Sequence, residues 1–179
     1  MDTMTIRRLG KPGDLGWVVQ AHGELYAAEI GWGTPFEALV ARIVADFAEC
    51  PDPARTAAWI AELDGRRVGC VFCTRAGEET AQLRVMLVHP DARGRGLGAR
   101  LTAECVRFAR NAGYRRMRLW TTTRQVAARH LYVEAGFVLA GEEQHNDFGE
   151  TVTGQTYELD LTRTHTGHQA DHPGAIGTA

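Results

Sequence analysis

Lysine is almost absent from this 179-residue chain: Lys11 is the only one, and a proline follows it. A Walker-type nucleotide loop ends in Gly-Lys-Ser or Gly-Lys-Thr, so the sequence excludes that class of nucleoside-triphosphate site. The positive charge is carried by arginine, which suits bidentate phosphate contacts better than lysine does. A formal net charge of −2 argues against broad nucleic-acid binding.

The chain also lacks any apolar run near the roughly 20 residues that a membrane span requires. Residues 1–9 are polar and have no apolar centre of the kind that a secretory signal needs. We therefore expect a cytoplasmic protein with no membrane partner. A hydrophobic content of 44% over this length is typical of one globular domain.

Cysteine is scarce too, at four residues. Cys70 and Cys73 have the spacing of half a zinc site, but they fall in a predicted strand, where side chains three apart point to opposite faces. No second pair with zinc-site spacing follows. We therefore expect buried, reduced thiols and no metal site.

Glycine is concentrated in a turn within residues 88–101, after an apolar strand that ends at Pro90. Gly94, Gly96 and Gly98 let the backbone approach a ligand closely and turn its N–H groups toward one point. The positive end of the predicted helix that follows acts at the same point. The turn is therefore predicted to bind a phosphate or a pyrophosphate.

Two glycine patterns fit this turn. The loose dinucleotide pattern is met by Gly94, Gly96 and Ala99. That pattern also requires an acidic ribose ligand about 20 residues later, where Arg116 and Arg118 stand instead. The dinucleotide interpretation is therefore the weaker of the two.

The other pattern, Arg/Gln-x-x-Gly-x-Gly/Ala, is met by Arg93, Gly96 and Gly98. It resembles the pyrophosphate-binding motif of the GNAT acetyltransferase superfamily, which holds coenzyme A. The flanking elements repeat the order of that family, with a strand before the turn and a helix, a strand and a second helix after it. The chain is most similar to the acetyltransferase domain often fused behind a MarR-type regulator, although this sequence contains no such regulator domain.

Hydrophobic periodicity predicts one α/β domain over residues 1–161 with a mixed sheet. The resemblance implies a GNAT-like three-layer fold, with a central, mostly antiparallel sheet and helices on both faces. Helices are predicted at 14–30, from 34 to the prolines at 51 and 53, at 97–112 and at 125–135. Strands are predicted at 5–9, 56–63, 67–75, 82–89, 116–121, 137–143 and 154–161. Residues 162–179 lack apolar periodicity, and we expect them to form a disordered tail.

Local signals refine three of these elements. Asp14 is expected to cap the first helix, and Gly23 is a point where that helix could be interrupted. Thr34 and Glu37 have the spacing of a capping box at the start of the second helix. In the central strand, strict alternation places Leu83, Val85 and Leu87 on one face, and Met86 and Val88 on the other.

The resemblance implies that acetyl-CoA lies in a cleft where the strand over 82–89 splays from the strand over 116–121. Backbone groups of the first strand would bind the pantetheine arm, and the glycine turn would bind the pyrophosphate. The expected acetyl-CoA-binding residues are Met86, Leu87, Val88, Arg93, Gly94, Arg95, Gly96, Leu97, Gly98, Ala99 and Arg129.

The family's catalytic tyrosine lies in a stretch of the form Ala-x-x-x-Tyr-x-x-x-Gly-Phe. This chain matches it with Ala128, Tyr132, Gly136 and Phe137. The resemblance therefore implies that Tyr132 protonates the departing thiolate. A phenol is suited to this task, because it remains protonated at neutral pH.

One position departs from the family. A glutamate that often acts there as a general base through water is replaced by Gln82, and an amide cannot accept a proton at neutral pH. We expect Gln82 to position a water that leads to a more distant base. His145 is favoured over Glu29 for that role, because imidazole side chains titrate near neutrality. The aromatic residues Trp17, Tyr26, Trp32 and Phe148 could line an acceptor pocket.

These observations predict an acetyl-CoA-dependent N-acetyltransferase that moves the acetyl group to a primary amine by direct attack in a ternary complex. The acceptor would be a small-molecule or protein amine, and a homodimer is a possible assembly. A regulatory acyl-CoA-binding module without turnover remains an alternative, because Gln82 replaces the usual base. A dinucleotide-binding protein is a third interpretation.

Overall fold

The computed structural model describes residues 2–50 and 52–163, so residues 164–179 of the tail predicted over 162–179 lie outside the described residues. Within that part of the chain the helices are α1 (Asp14–Glu29), α2 (Thr34–Glu49), α3 (Leu97–Asn111) and α4 (Val126–Glu134). The strands are β1 (Met4–Arg8), β2 (Ala57–Leu63), β3 (Arg66–Arg75), β4 (Thr80–Val88), β5 (Arg116–Thr122), β6 (Val138–His145) and β7 (Val152–Asp160). Each predicted element is present, with ends shifted by a few residues.

The strands form one sheet in the order β1-β2-β3-β4-β5-β7-β6. Neighbouring strands are antiparallel except for β4 and β5, which are parallel. The chain reverses between β2 and β3 at Asp64 and Gly65, both with positive φ, as the Asp-Gly signal of a tight hairpin predicts.

Helices cover both faces of the sheet. The apolar faces of α3 and α4 bury Leu97, Leu101 and Tyr132 against one face, whereas Val18 of α1 and Val40 of α2 are buried against the other. The predicted three-layer α/β fold with a mixed, mostly antiparallel sheet is therefore confirmed. Among the described residues, no helix is both long and apolar enough to cross a membrane.

The central strand β4 contains a bulge that the sequence did not predict. Its pairing with β3 slips between residues 70 and 72, and Val85 has a φ of 53°. The extra residue reverses the alternation, so Leu83 packs on the α3 face while Val85 and Leu87 pack on the α1 face. The expectation that all three share one face is wrong.

The two cysteines of the candidate half-site do lie on opposite faces of β3. Cys70 belongs to the core under α1 and α2, and Cys73 to the core under α3. Both thiols are free and fully buried. Burial in apolar surroundings raises the pKa of the Cys70 thiol, so this side chain stays a neutral core residue.

Asp14 does not cap α1 with its side chain. The N-cap is Gly13, with a φ of 87°, and the buried Asp14 carboxylate instead accepts hydrogen bonds from Arg7 at 2.8 and 2.9 Å and from Arg67 at 2.8 Å. The backbone N–H groups of residues 10 and 11 donate to the same carboxylate. This cluster joins α1 to β1 and β3, and the Arg7 hydrogen bonds hold the pKa of Asp14 well below its usual range.

We expect Asp14→Asn to lower the free energy of unfolding at pH 7 by about 3 kcal/mol, because it leaves two arginines without their shared partner. The lowered pKa makes the ionised carboxylate stabilising above the unfolded value of about 3.9, and that stabilisation is lost as the pH falls toward the folded value. Urea unfolding should therefore show a smaller difference between wild type and variant at pH 3 than at pH 7. An equal difference at both pH values would contradict this account.

The expected capping box at α2 is also absent. Gly33 is the N-cap, and within residues 2–50 and 52–163 no side chain caps this helix. Glu37 lies against α1, where a Cβ atom on Gly23 would stand 2.6 Å from its Oε2 atom. Gly23 therefore does not interrupt α1; the lack of a side chain there lets α2 pack closely against it.

Candidate active site

A cleft opens where β4 and β5 separate. The two strands pair only between residues 80–82 and 116–118, so the following part of β4 has no strand partner on that edge among the residues that the structure describes. The predicted separation of the two strands is thus present. The cleft opens toward the sheet face that α1 and α2 cover. The adjoining cavity has a volume of about 460 Å³.

The glycine turn lies at the start of α3. Gly94 and Gly96 have φ values of 72° and 71°, and Gly96 is the N-cap of the helix. Because no side chain of the described residues caps α3, the N–H groups of its first turn are available to an anion. The space beside both glycines is open, since a Cβ on either would contact nothing within 4 Å. These features fit a bound pyrophosphate.

Gly98 has a different role from its two neighbours. A Cβ atom there would lie 3.0 Å from Cδ2 of Leu131 and 3.6 Å from Cε of Met86. The glycine therefore allows α4 to pack against the first turn of α3 beside the bulged strand. This contact places Tyr132, the next residue of α4, at the cleft.

The arginines of the turn are engaged by carboxylates. Arg93 pairs with Glu29 at 2.8 Å, and its Nε donates to the carbonyl of Val88 at 3.1 Å. Arg95 pairs with Asp2 at 2.7 Å. Exposed pairs of this kind are worth about 1 kcal/mol or less, so a phosphate can replace either carboxylate.

Arg129 on α4 forms a hydrogen bond to the loop that precedes its own helix. It donates from Nη1 to the carbonyl of Thr123 at 2.9 Å, and its buried Nε has no hydrogen-bond partner among the described residues. A role of Arg129 toward acetyl-CoA stays a prediction.

Tyr132 lies on α4 and lines the cavity. It is only 6% exposed and packs edge-on against Phe137. Burial raises the pKa of its phenol, which therefore remains a proton donor at neutral pH. Within the described residues no side chain or carbonyl accepts a hydrogen bond from its hydroxyl.

Gln82 and His145 both line the cavity, whereas Glu29 does not. The Glu29 carboxylate is held by Arg93 outside the cleft, which removes support for it as a base. His145 packs edge-on against Trp120, between the carboxylates of Glu143 at 3.6 Å and Asp147 at 3.5 Å. Of the two candidate bases, His145 is therefore the one that lines the cavity, and its role as a base stays a prediction.

Glycine makes room for the pair formed by Trp120 and His145. A Cβ on Gly154 of β7 would stand 2.6 Å from Nε1 of Trp120 and 2.7 Å from Cδ2 of His145. A glycine inside a strand often marks a place where other groups approach the backbone closely. In the sequence, Gly154 was the feature that could have indicated this part of the site.

Three of the four aromatic residues proposed for the acceptor pocket line the cavity: Tyr26, Trp32 and Phe148. Trp17 does not; it packs at the edge of the core beneath α1. The phenol of Tyr26 accepts a hydrogen bond from Gln125 at 2.9 Å, and burial raises its pKa to about 12. One wall of the cavity is therefore largely aromatic.

Sequence reasoning missed His22 of α1, which is 2% exposed and lines the cavity. Its Nδ1 donates to the carbonyl of Val18 at 2.7 Å, so Nε2 carries a lone pair that no described residue uses. Burial lowers the pKa of His22 to about 4, and the ring is neutral at pH 7. In the sequence, the i, i+4 spacing of Val18 and His22 indicates only a helix, and it does not indicate that His22 lines a cavity.

The architecture is that of solved acetyltransferases. It superposes with a TM-score of 0.72 on an N-acetyltransferase from Staphylococcus aureus Mu50, at 20% identity over 89% of this chain and 99% of that one. A protein from Salmonella typhimurium, solved with its cofactor acetyl-CoA, gives a TM-score of 0.68 at 22% identity over 94% and 99% of the two chains. These likenesses concern the fold.

Residues 20–137 match the sequence model of the acetyltransferase (GNAT) family. This chain belongs to that family, as the glycine turn and the order of elements predicted. The largely antiparallel sheet also leaves the dinucleotide-binding interpretation without the parallel fold that it requires.

Curated relatives share part of the chain. It is 35% identical to the N-acetylaspartate synthetase of Xenopus tropicalis over 56% of this chain and 36% of that protein. It is also 35% identical to the mycothiol acetyltransferase of Cellulomonas flavigena, over 44% of this chain and 25% of that protein. The chain thus spans about a third of the length of the first of these two relatives and a quarter of the second.

Proposed function

We propose that this protein transfers the acetyl group of acetyl-CoA to a primary amine by direct attack in a ternary complex. The observation that carries the proposal is the separation of β4 from β5, which leaves an edge of β4 free beside a cavity that Tyr132 lines, while the glycine turn follows the end of the same strand. The family match and the relatives named as acetyltransferases support the same reaction.

When bound, acetyl-CoA supplies a thioester whose carbonyl carbon accepts the amine. The free edge of β4 offers backbone N–H groups to the carbonyl oxygen, where negative charge grows as the C–N bond forms. The C–S bond then breaks, and Tyr132 gives its proton to the leaving sulfur. As the amide forms, the attacking nitrogen loses a proton, and water carries a proton to the Tyr132 phenolate and so restores the phenol.

Gln82 leaves the removal of the amine proton to another group. A primary amine with a pKa near that of lysine is almost wholly protonated at neutral pH and cannot attack until it loses a proton. In our proposal Gln82 holds a water that connects the amine to His145. Both side chains line the cavity, which supports this route.

We expect His145→Ala to lower kcat/KM by about 10- to 100-fold at pH 7 and to change the acidic limb of the pH profile, because a general base is removed. Gln82→Glu should keep the rate or raise it at moderate pH, since it restores a group that accepts a proton. Rates at saturating acetyl-CoA with one active acceptor, from pH 6 to 9, provide the measurement. His130→Ala, at an exposed histidine of α4, is the control and should match wild type. A wild-type profile for His145→Ala would exclude His145 as the base.

Two assays test the proposed function. Calorimetric titration should show binding of acetyl-CoA and no binding of NAD or NADP. A thiol-release assay over amino acids, polyamines, aminoglycosides and peptide N-termini should then identify an acceptor. Binding without release of CoA for any amine would favour the regulatory acyl-CoA-binding module, and binding of NAD would overturn the proposal.

Three further expectations from the sequence belong to this proposal. They are the particular likeness to acetyltransferase domains fused with MarR-type regulators, a cytoplasmic location and assembly as a homodimer. Native mass spectrometry of the purified chain measures the last of these directly.

A further inference from the structure

Two arginines face the cavity from neighbouring strands. Arg84 of β4 is half-buried, and Arg118 of β5 lies beside Gln82, its register partner across the parallel pair. Both line the cavity on the same sheet face as His145. Arg84 directly precedes the bulge at Val85, where the free edge of β4 begins to face the cleft.

Neither guanidinium has a partner in the part of the chain that the structure describes. Arg84 and Arg118 form no ion pair within 4.0 Å there and donate no side-chain hydrogen bond. Their acidic neighbours are Asp46 of α2, Asp147 in the cavity wall and Glu158 of β7. Glu158 lies opposite Arg118 in the strand register, without an ion pair between the side chains. None of these carboxylates comes within ion-pair distance of the two arginines.

Other arginines of the described residues do hold carboxylates. Arg7, Arg93 and Arg95 each hold a carboxylate at 2.8 Å or less. Arg118 is exposed and Arg84 is half-buried. Two like charges near each other, one of them partly removed from water, are unfavourable unless an anion joins them. Consistently, burial and the charge of Arg118 both lower the pKa of Arg84.

We propose that Arg84 and Arg118 bind a carboxylate of the acceptor, so that the substrate class is a small amine with one or more carboxylates, such as an amino acid. This inference rests on the proposed acetyl transfer. It concerns only the acceptor half of the cavity, because the glycine turn at the start of α3 is the site proposed for the pyrophosphate.

The geometry limits the acceptor further. The carboxylate would lie beside residue 84 and the reacting amine beside the bulge that follows it, so the two groups must be a few atoms apart. The aromatic wall formed by Tyr26, Trp32 and Phe148 faces the rest of the molecule. Polyamines and aminoglycosides carry several positive charges, and the two unpaired arginines would repel them.

The test compares acceptors that differ only in carboxylate number. L-Aspartate, L-asparagine and L-asparagine amide have two, one and no carboxylates, and L-alanine is compared with L-alaninamide in the same way. Binding is measured by calorimetry with CoA present, and transfer by thiol release with acetyl-CoA. We expect at least one acid to bind and react at least 10-fold better than its amide.

Three variants locate the effect. Arg84→Met and Arg118→Met should each lower kcat/KM for the preferred acid by about 10- to 100-fold, mainly by raising KM. The kinetics with the corresponding amide and the affinity for acetyl-CoA should not change. Arg116→Met, on the same strand but outside the cavity, is the matched control and should behave as wild type. Thermal unfolding checks that all three variants fold.

The outcomes separate this inference from the proposed function. If acids bind in an arginine-dependent way but no amine is acetylated, acetyl transfer fails and the carboxylate site stands. If amides or polyamines react as well as the acids do, or no acid binds, the carboxylate site is overturned and acetyl transfer is untouched. Weaker acetyl-CoA binding in Arg84→Met and Arg118→Met would instead assign the two arginines to the cosubstrate.

Discussion

Gly96→Asp is expected to weaken acetyl-CoA binding by about 100-fold or more. The substitution places a carboxylate at the N-cap of α3, where the proposed pyrophosphate would meet the N–H groups of the first turn. Two unit charges about 4 Å apart repel by roughly 4 kcal/mol at the effective dielectric constant of a protein surface, and salt reduces that value. Calorimetric titration of acetyl-CoA measures the loss.

Gly96→Asn is the matched control for this experiment. Asparagine and aspartate have nearly the same size, and both tolerate the left-handed conformation that Gly96 adopts, with a φ of 71°. The asparagine variant should therefore lose much less affinity than the aspartate variant, and both should unfold near the wild-type temperature. Equal acetyl-CoA affinity of a folded Gly96→Asp protein and wild type would overturn the phosphate site.

The sequence predicted the elements because their signals are local. Apolar spacing located α3, and the Asp64-Gly65 turn predicted the hairpin of β2 and β3. The bulge in β4 had no such signal. Valine favours regular strands, and the positive φ of Val85 is imposed by the contacts of β4 with its neighbours rather than by the residue itself.

The candidate site was predictable where a motif is continuous and unpredictable where the fold assembles it. The turn from Arg93 to Ala99 and the stretch around Tyr132 are short patterns. Arg84 and Arg118 are far apart in sequence and become neighbours only through the register of β4 and β5. The same holds for Asp14. Its position in the sequence suggested a helix cap, but its carboxylate instead pairs with arginines of β1 and β3 that are distant in sequence or lie on another element.

The bulge, the glycine turn and Tyr132 form one connected arrangement. Gly98 lets Leu131 of α4 approach Met86, the residue after the bulge. That contact holds the helix bearing Tyr132 against the part of β4 that lacks a strand partner. Tyr132 and the free strand edge are thus held in place by the same packing, which explains why the phenol can be largely buried and still border the cavity.

Tyr132→Phe is expected to slow the acetyl-transfer step by about 10²- to 10⁴-fold while leaving acetyl-CoA affinity unchanged. The variant keeps the aromatic ring that packs against Phe137 and removes only the proton donor. Because burial raises the pKa of this phenol, the wild-type rate should show no alkaline loss from this group below its ordinary value near 10. Single-turnover measurements report the chemical step and avoid effects of slow product release.

Tyr114→Phe is the control that separates loss of the proposed proton donor from loss of a buried hydroxyl group. Tyr114 is 3% exposed, lies outside the cavity and donates a hydrogen bond to the carbonyl of Arg55 at 2.8 Å. Its replacement should lower stability by about 1 kcal/mol and leave the transfer rate unchanged. Tyr132→Phe should show the reverse, with a large rate loss and little change in stability. If single-turnover transfer by Tyr132→Phe equals that of wild type, Tyr132 serves only in packing, and the leaving sulfur takes its proton from water.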